Sequence, residues 1–479
     1  MFQVQPLSAE ILTSFPKVDE EKVDLQLAQQ LKNLNRKIVV LDDDPTGVQT
    51  VHHIPVYTSW DEETMLQAFR EEGSMFFILT NSRGMTHRET VEQHKIMAQN
   101  VVKASRETGK DYILISRSDS TLRGHYPWEP LTLKEEIESL SDKRFDGEII
   151  YPFFQEGGRY TIGGVHYVQE GDQLIPAGQT EFAKDKSFGY KASYLPDWCE
   201  EKSQGRYRAQ DVVRIAMEDL RSGNVEKICS QLLSLKDFNK VVVDSVNYVD
   251  TKVFAIAFCM AVAQGKEFLF RSAAAITKVL GGVPDQPLLA RKDLVVAGST
   301  NGGIVLVGSH VNKTTAQLQE LHNCKYPITF LEFNQHRVLE EGGLEDEVQK
   351  MVSRVQEEIR QGRTVAVYTR RERFDLDTDD KEKQLQVSVQ ISDAVTSIIG
   401  RLTVQPSFII AKGGITSSDV GVKALRVHRA MVMGQVRPGI PAWRTGPESK
   451  FPNMPYIIFP GNVGTVEDLR IIVENLMEE

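Results

Sequence analysis

Arg36-Lys37-Ile38-Val39-Val40-Leu41, followed at once by Asp42-Asp43-Asp44-Pro45-Thr46-Gly47, decides how this chain folds. An unbroken apolar run of this length suits a strand buried on both faces, as in a parallel sheet. Three adjacent carboxylates at its end repel one another. They call for a metal, basic side chains or helix N-terminal amides. In open α/β sheets ligands bind just outside the carboxyl ends of strands, so the acids stand where a ligand would sit. Pro45 pushes Asp44 away from the helical region, which makes the segment a turn. Its plain reading is a capped turn with Pro and Gly shaping the backbone. Its functional reading is a carboxylate that orients or deprotonates a hydroxyl.

Outward from this run, strands and helices alternate. Further strand candidates are 75–80, 112–116, 148–151 and 241–244, with helical patterns at 86–107 and 209–222. Val23, Leu25, Leu27, Leu31 and Leu34 mark a leading helix. The Gly-, Tyr- and charge-rich stretch 155–205 breaks the rhythm and reads as an antiparallel excursion or an active-site flap. Turn-rich segments at 281–287 and 298–303 mark a boundary. Strands then resume at 304–307, 364–368, 408–410 and 456–459, with helices at 313–322, 344–361, 417–427 and 465–478. Thr465 and Asp468 come close to a capping box for the last of these. The alternation predicts an α/β protein of two domains, each a mainly parallel sheet flanked by helices. The expected layout is an N-terminal helical extension (1–35), a first α/β domain (36–280), a linker (281–300) and a second α/β domain (301–479).

A chain of 479 residues exceeds one ordinary core, in keeping with two domains. Its net charge of -10 argues against nucleic-acid and acidic-membrane partners, while leaving room for a small anion in a local basic pocket. No apolar run approaches the length of a bilayer span. Met1-Phe2-Gln3-Val4 does not open a basic region followed by an apolar stretch, so no secretory leader is expected, and the four cysteines, scattered without a CxxC pair, predict no structural zinc site. Free thiols predict a cytoplasmic protein. The subunit count stays open, a homo-oligomer included.

Three basic loops follow strands in the first half. Ser116-Arg117-Ser118-Asp119-Ser120-Thr121-Leu122-Arg123-Gly124-His125 gathers arginines, hydroxyls and an acid. Thr80-Asn81-Ser82-Arg83-Gly84 and Gly157-Gly158-Arg159-Tyr160-Thr161 are sparser versions. Arginine grips carboxylates through a bidentate fork, so a small polyhydroxy acid suits this mix. The second half instead places glycine-rich loops after strands: Gly308-Ser309-His310, Lys412-Gly413-Gly414-Ile415-Thr416-Ser417 and Gly461-Asn462-Val463-Gly464. Glycine admits close backbone approach, and the next helix offers free N–H groups. Such loops side by side can cradle nucleotide phosphates, with Lys412 to meet their charge, although no GxxxxGK[ST] loop occurs.

Asp43-Asp44-Pro45-Thr46-Gly47 resembles the Asp-Asp-x-Thr-Gly opening of the four-carbon acid sugar kinases. Asp119-Ser120-Thr121-Leu122-Arg123-Gly124 resembles that family's Asp-Ser-Thr-Leu-Arg-Gly segment. Lys412 to Asp419 and Gly434-Gln435-Val436-Arg437-Pro438-Gly439 are similar to its C-terminal nucleotide-binding motifs. The resemblance runs from about residue 36 onward, with the motifs in family order. It implies an active-site cleft between the domains, a sugar acid such as a threonate, erythronate or oxo-tetronate held by the first, and ATP held by the second. The implied reaction is phosphoryl transfer to a hydroxyl of the acid, the terminal one, with Mg²⁺ arriving as the ATP complex. No metal ligand is assigned.

By motif position, Asp43, Arg83 and the segment Asp119, Ser120, Thr121, Leu122, Arg123, Gly124 would touch the substrate, with Arg159 from the third basic loop. Ser309, Lys412, Gly413, Gly414, Ile415, Thr416, Gly461, Asn462 and Gly464 would touch ATP. Asp43 or Asp44 would act on the attacking hydroxyl. Asp42 stands where many members have Ala, and the residues after Pro45 depart from the common pattern, which leaves the identity of the acid open. Two rivals remain. Asp42 and Asp44 also fit the Asp-x-Asp-x-Thr of haloacid-dehalogenase-type phosphatases, and a non-catalytic sugar-acid-binding protein would keep the same cleft.

Overall fold

The computed structural model describes residues 4–374, 376 and 381–478. The chain forms two compact units. The first comprises residues 1–51 and 59–285, and the second residues 52–58 and 286–479. Residues 52–58 lie within the span read from sequence as first domain. They group with the second unit because Pro55–Tyr57 pairs antiparallel with Arg429–Met431.

The first unit is built on a parallel sheet. Its strand order is Val213–Ile215, Asn239–Val243, Gly147–Tyr151, Phe268–Ser272, Tyr112–Arg117, Lys37–Asp42 and Met75–Leu79. Lys37–Asp42 lies between Tyr112–Arg117 and Met75–Leu79 and is buried at every position, as its apolar run requires. Helices His87–Thr108 and Tyr248–Ala263 are among those that flank the sheet. The first opens on a capping box of Thr86 and Glu89, and Gly109 closes it in the left-handed region at φ 65°. The leading helix spans Glu20–Asn33 and buries Val23 and Leu27 against Tyr248–Ala263, whereas Leu25 faces solvent.

The irregular stretch after residue 155 is an antiparallel excursion. Arg159–Ile162, Val165–Glu170 and Gln173–Pro176 form a meander, extended at its edge by Leu7–Ser8. The 209–222 segment is not one helix. Its β-branched Val213 and Ile215 add a parallel edge strand to Asn239–Val243, and only Met217–Arg221 is α-helical.

In the second unit Ile328–Phe333, Thr364–Thr369, Ile304–Val307, Ile409–Lys412 and Pro455–Phe459 run parallel. An antiparallel hairpin, Arg429–Arg437 with Ile440–Thr445, extends this sheet from Pro455–Phe459. Helix Gly343–Arg360 follows its predicted span. The predicted 417–427 helix begins earlier, at Gly414, and widens to a π-helix over Val420–Ala424. The C-terminal helix starts at Asp468 rather than 465. Asp468 accepts from the Thr465 N–H, one half of a capping box, at 2.7 Å. Residues 286–300, expected as linker, are tied to this unit through Leu289 N–H to Gln435 O and Val296 N–H to Ser407 O, both 2.8 Å. All four cysteines are free thiols. Among the described residues, no helix is long and apolar enough to cross a membrane.

Candidate active site

In the first unit the three acids leave the carboxyl end of Lys37–Asp42 and meet arginines from the neighbouring strand ends. Each acid has a different surrounding. Asp42 is 1 % exposed and faces Arg117 Nη1 at 3.3 Å. The Gly47 backbone lies so close that a Cβ there would overlap the Asp42 carboxylate, which explains glycine at this position. Burial, against the pull of Arg117, pushes the Asp42 carboxyl up to about 8.

Asp43 is also buried. Its Oδ2 accepts from Ser118 Oγ at 2.5 Å and lies 3.4 Å from Arg83 Nε. Its Oδ1, 3.7 Å from Arg117 Nη1, has no hydrogen-bond donor. Burial raises Asp43 above the usual carboxylate range, and Arg83 and Arg117 offset only part of that. Asp44 behaves in the opposite way. Burial alone would raise it, but the Arg83 guanidinium and two hydrogen bonds from Thr46 hold it below the ordinary value. Those bonds come from Thr46 N–H at 2.8 Å and Thr46 Oγ1 at 2.5 Å. Arg83 therefore joins Asp43, Asp44 and, at 3.7 Å, Asp119.

The loop after Tyr112–Arg117 closes the cluster. Asp119 accepts from Arg123 Nε at 2.7 Å and from the Thr121 hydroxyl. Burial works against its charge, yet Arg123 and Arg83 keep Asp119 well below the usual range. Leu122 holds φ 67° and packs with Tyr126 and Trp198. Gly124, at φ 119°, passes where a Cβ would stand 2.7 Å from both Arg271 Nη2 and Ser118 Oγ. The Ser120 carbonyl accepts from His166 Nε2 at 2.8 Å, and the Thr121 carbonyl from Tyr190 Oη at 2.6 Å. His166 of the antiparallel meander and Tyr190 of the segment that follows it thus hold this loop.

Arg159 opens the meander at 9 % exposure. It lies 5.8 Å from the Phe182 ring centroid, its Nε lacks a partner, and no carboxylate pairs with it among the described residues.

Sequence reasoning missed Arg271 and Glu129. Arg271 ends the apolar strand Phe268–Ser272, donates to Ser116 Oγ at 3.1 Å and pairs with Glu129. Glu129 also accepts from Ser82, which lies beside Arg83. For Arg271 the available signal was a charge at the end of an apolar run, as at Asp42; Glu129, in the first turn of helix Trp128–Leu140, had none.

The second unit gathers its glycine loops around Ser309. A Cβ on Gly413, at φ 125°, would stand 2.9 Å from Ser309 Cβ, and one on Gly461 would stand 3.3 Å from Ser309 Oγ. Thr314 Oγ1 reaches Ser309 Oγ at 3.3 Å and Gly461 O at 3.2 Å. Gly308 leaves room for Thr416. Gly464, at φ 83°, turns the loop toward Asp468, and the Asn462 carbonyl accepts from Lys313 Nζ at 3.4 Å. Gly414 begins the helix Gly414–Asp419, on which Ile415 is 72 % exposed.

Lys412 is fully buried, donates to the Pro460 carbonyl and lies 3.9 Å from the Phe459 ring centroid. Burial, aided by Lys313, lowers it to about 6. It props the Pro460–Gly461 turn from beneath. In the 434–439 segment, Arg437 is bound by Asp468 at 2.8 Å. Converging loops whose glycines keep side chains out, with Lys313 on the rim, fit polyphosphate. Among the described residues no group of three or more His, Cys, Asp or Glu is arranged to hold a metal ion.

Two family models match the chain: a sugar-binding N-terminal domain over residues 38–280 and a nucleotide-binding C-terminal domain over residues 304–469. No curated protein matches it. Among solved structures, the chain is similar to Haemophilus influenzae protein HI1011, a member of family model DUF1537. The TM-score is 0.58 at 17% identity, over 91% of this chain and 99% of that one. A protein of Salmonella typhimurium LT2, provisionally called a tRNA synthase, gives a TM-score of 0.62 at 17% identity, over 91% and 98%. At that identity the likeness speaks for the fold alone. The two domain matches, in this order over most of the chain, place it in the family with the four-carbon acid sugar kinase architecture.

Proposed function

We propose that the protein is an ATP-dependent kinase that phosphorylates a hydroxyl, the terminal one, of a four-carbon sugar acid. The observation that carries this reading is the Asp43 carboxylate. It is buried among Arg83, Arg117 and Ser118, and its Oδ1 lacks a donor. A substrate hydroxyl supplies that missing donor. Asp43, raised in pKa, takes the proton as the hydroxyl oxygen attacks the terminal phosphorus of ATP and ADP departs. Asp44, locked to Arg83 and Thr46, keeps its charge and positions the guanidinium.

Arg159 meets the carboxylate of the acid, since a buried guanidinium without a carboxylate lacks an anion, and Arg123, held by Asp119, adds positive charge from the neighbouring loop. Ser309, the 412–416 loop and Gly461 to Gly464 take the nucleotide. Mg²⁺ arrives on the ATP phosphates, where it neutralises charge. Free cysteines support a cytoplasmic setting. The phosphatase alternative gains no support, because its nucleophile Asp42 is buried and held largely protonated at neutral pH.

The test is ADP release over a panel of threonates, erythronates and their oxo forms with MgATP. Release that depends on one acid and yields its phosphate ester is the expected result. Tight binding of an acid without ADP formation would make the protein a binding module. A phosphoenzyme trapped on Asp42 would return the phosphatase.

A further inference from the structure

The second unit contains a cation that no motif and no expectation from sequence included. Arg371 follows the strand Thr364–Thr369. Its Nη2 donates to the Ser309 carbonyl at 2.6 Å and to Thr315 Oγ1 at 2.9 Å, and its Nε lies 3.3 Å from the same hydroxyl. Its Nη1 is buried and has no partner. Among the described residues no carboxylate pairs with it, and burial lowers its pKa. The neighbouring Arg370, by contrast, pairs with Glu332 at 3.4 Å. A half-buried guanidinium that meets only neutral acceptors, with one nitrogen shut off from water and unpaired, is unfavourable until an anion arrives.

Ser309 and Thr315 flank the first turn of helix Asn312–Leu321, and Ser309 is where the Gly413 and Gly461 loops converge. Lys313 stands on that turn as well. Cations therefore surround the loops, and Asp468, which lies against Gly464, is bound to Arg437.

We propose that Arg371 is a polyphosphate-binding residue of this domain, reaching the terminal phosphates of the nucleotide through Nη1. The inference rests on the nucleotide-binding reading above. Arginine suits the role because its planar fork can hold Ser309 and Thr315 with one edge and a phosphate with the other.

Binding of tripolyphosphate, of a non-hydrolysable ATP analogue with Mg²⁺, and of adenosine is measured by calorimetry on wild type, Arg371→Gln and Arg371→Lys. Arg371→Gln is expected to weaken tripolyphosphate and the analogue by roughly 10- to 100-fold. Adenosine affinity and the unliganded melting temperature should stay unchanged, and Arg371→Lys should recover part of the loss. Equal polyphosphate affinity in wild type and Arg371→Gln overturns the proposal. So does a matching loss of adenosine or a lowered melting temperature, either of which makes Arg371 a structural clamp on Ser309. If wild type binds tripolyphosphate but not the analogue, the nucleotide reading fails, and Arg371 is judged on tripolyphosphate alone. If wild type binds neither, both fail.

Discussion

Asp43→Asn separates the three acids by function. The amide is nearly the size of the carboxylate, so the cluster need not repack. Its carbonyl oxygen belongs at the Oδ2 position, where Ser118 donates at 2.5 Å and Arg83 Nε approaches to 3.4 Å. The NH₂ group then occupies the Oδ1 position, the one without a donor. An amide nitrogen can neither accept a hydrogen bond from a substrate hydroxyl nor take its proton. The loss therefore falls on kcat, and a missing general base is worth about 10²- to 10⁴-fold, or about 3–5 kcal/mol of barrier.

The pH profile gives a second readout. Asp43 must be ionised to act, and its folded pKa lies above 3.8. Activity should rise with pH through an acid limb displaced above the ordinary carboxylate range, and Asp43→Asn should lose that limb. Asp44→Asn keeps an acceptor for Thr46 but weakens the hold on Arg83, so KM should rise more than kcat falls. Steady-state ADP release from pH 4 to 9 measures all of this. Wild-type turnover in Asp43→Asn, or a kcat collapse confined to Asp44→Asn, would refute the assignment.

Two further outcomes follow from packing and charge. Gly47→Ala drives a methyl into the Asp42 carboxylate and parts it from Arg117. Overpacking of this kind should lower stability by about 1–3 kcal/mol, visible as an earlier urea transition of the first domain, and an unchanged transition would contradict the packing. Lys412, lowered to about 6, is mostly neutral at pH 8. Polyphosphate favours its charged form, so nucleotide binding at pH 8 should take up close to one proton, and Lys412→Met should abolish the uptake. Calorimetry in buffers of different ionisation enthalpy reads this directly, and heats independent of buffer would remove Lys412 from the site.

The legible parts of the sequence were those governed by local chemistry. Apolar runs announced Lys37–Asp42, Tyr112–Arg117 and Ile304–Val307, because the middle of a strand covered on both faces is apolar and polar residues fall at its ends. The segment 209–222 misled because its apolar residues satisfy a helical spacing, while its β-branched Val213 and Ile215 could pair with Asn239–Val243 only once that strand existed. Pro55–Tyr57 was invisible as part of the second unit, because its partner lies more than 370 residues away.

The same division holds for the site. The sequence by itself determined the acids, the basic loops and the glycine loops, since each is a short run whose residue types already state their chemistry. The family motif already set Asp42 apart, but only the tertiary structure distinguished Asp43 from Asp44. Asp42, Asp43 and Asp44 are identical in composition, and the difference between them comes from which guanidinium or hydroxyl each meets and how deeply each is buried. It also turned Lys412 inward onto Pro460 and left Arg371 with an unfilled N–H beside Ser309. Those facts depend on strands far apart in sequence ending side by side, and desolvation, the largest influence on these groups, has no local sequence signature.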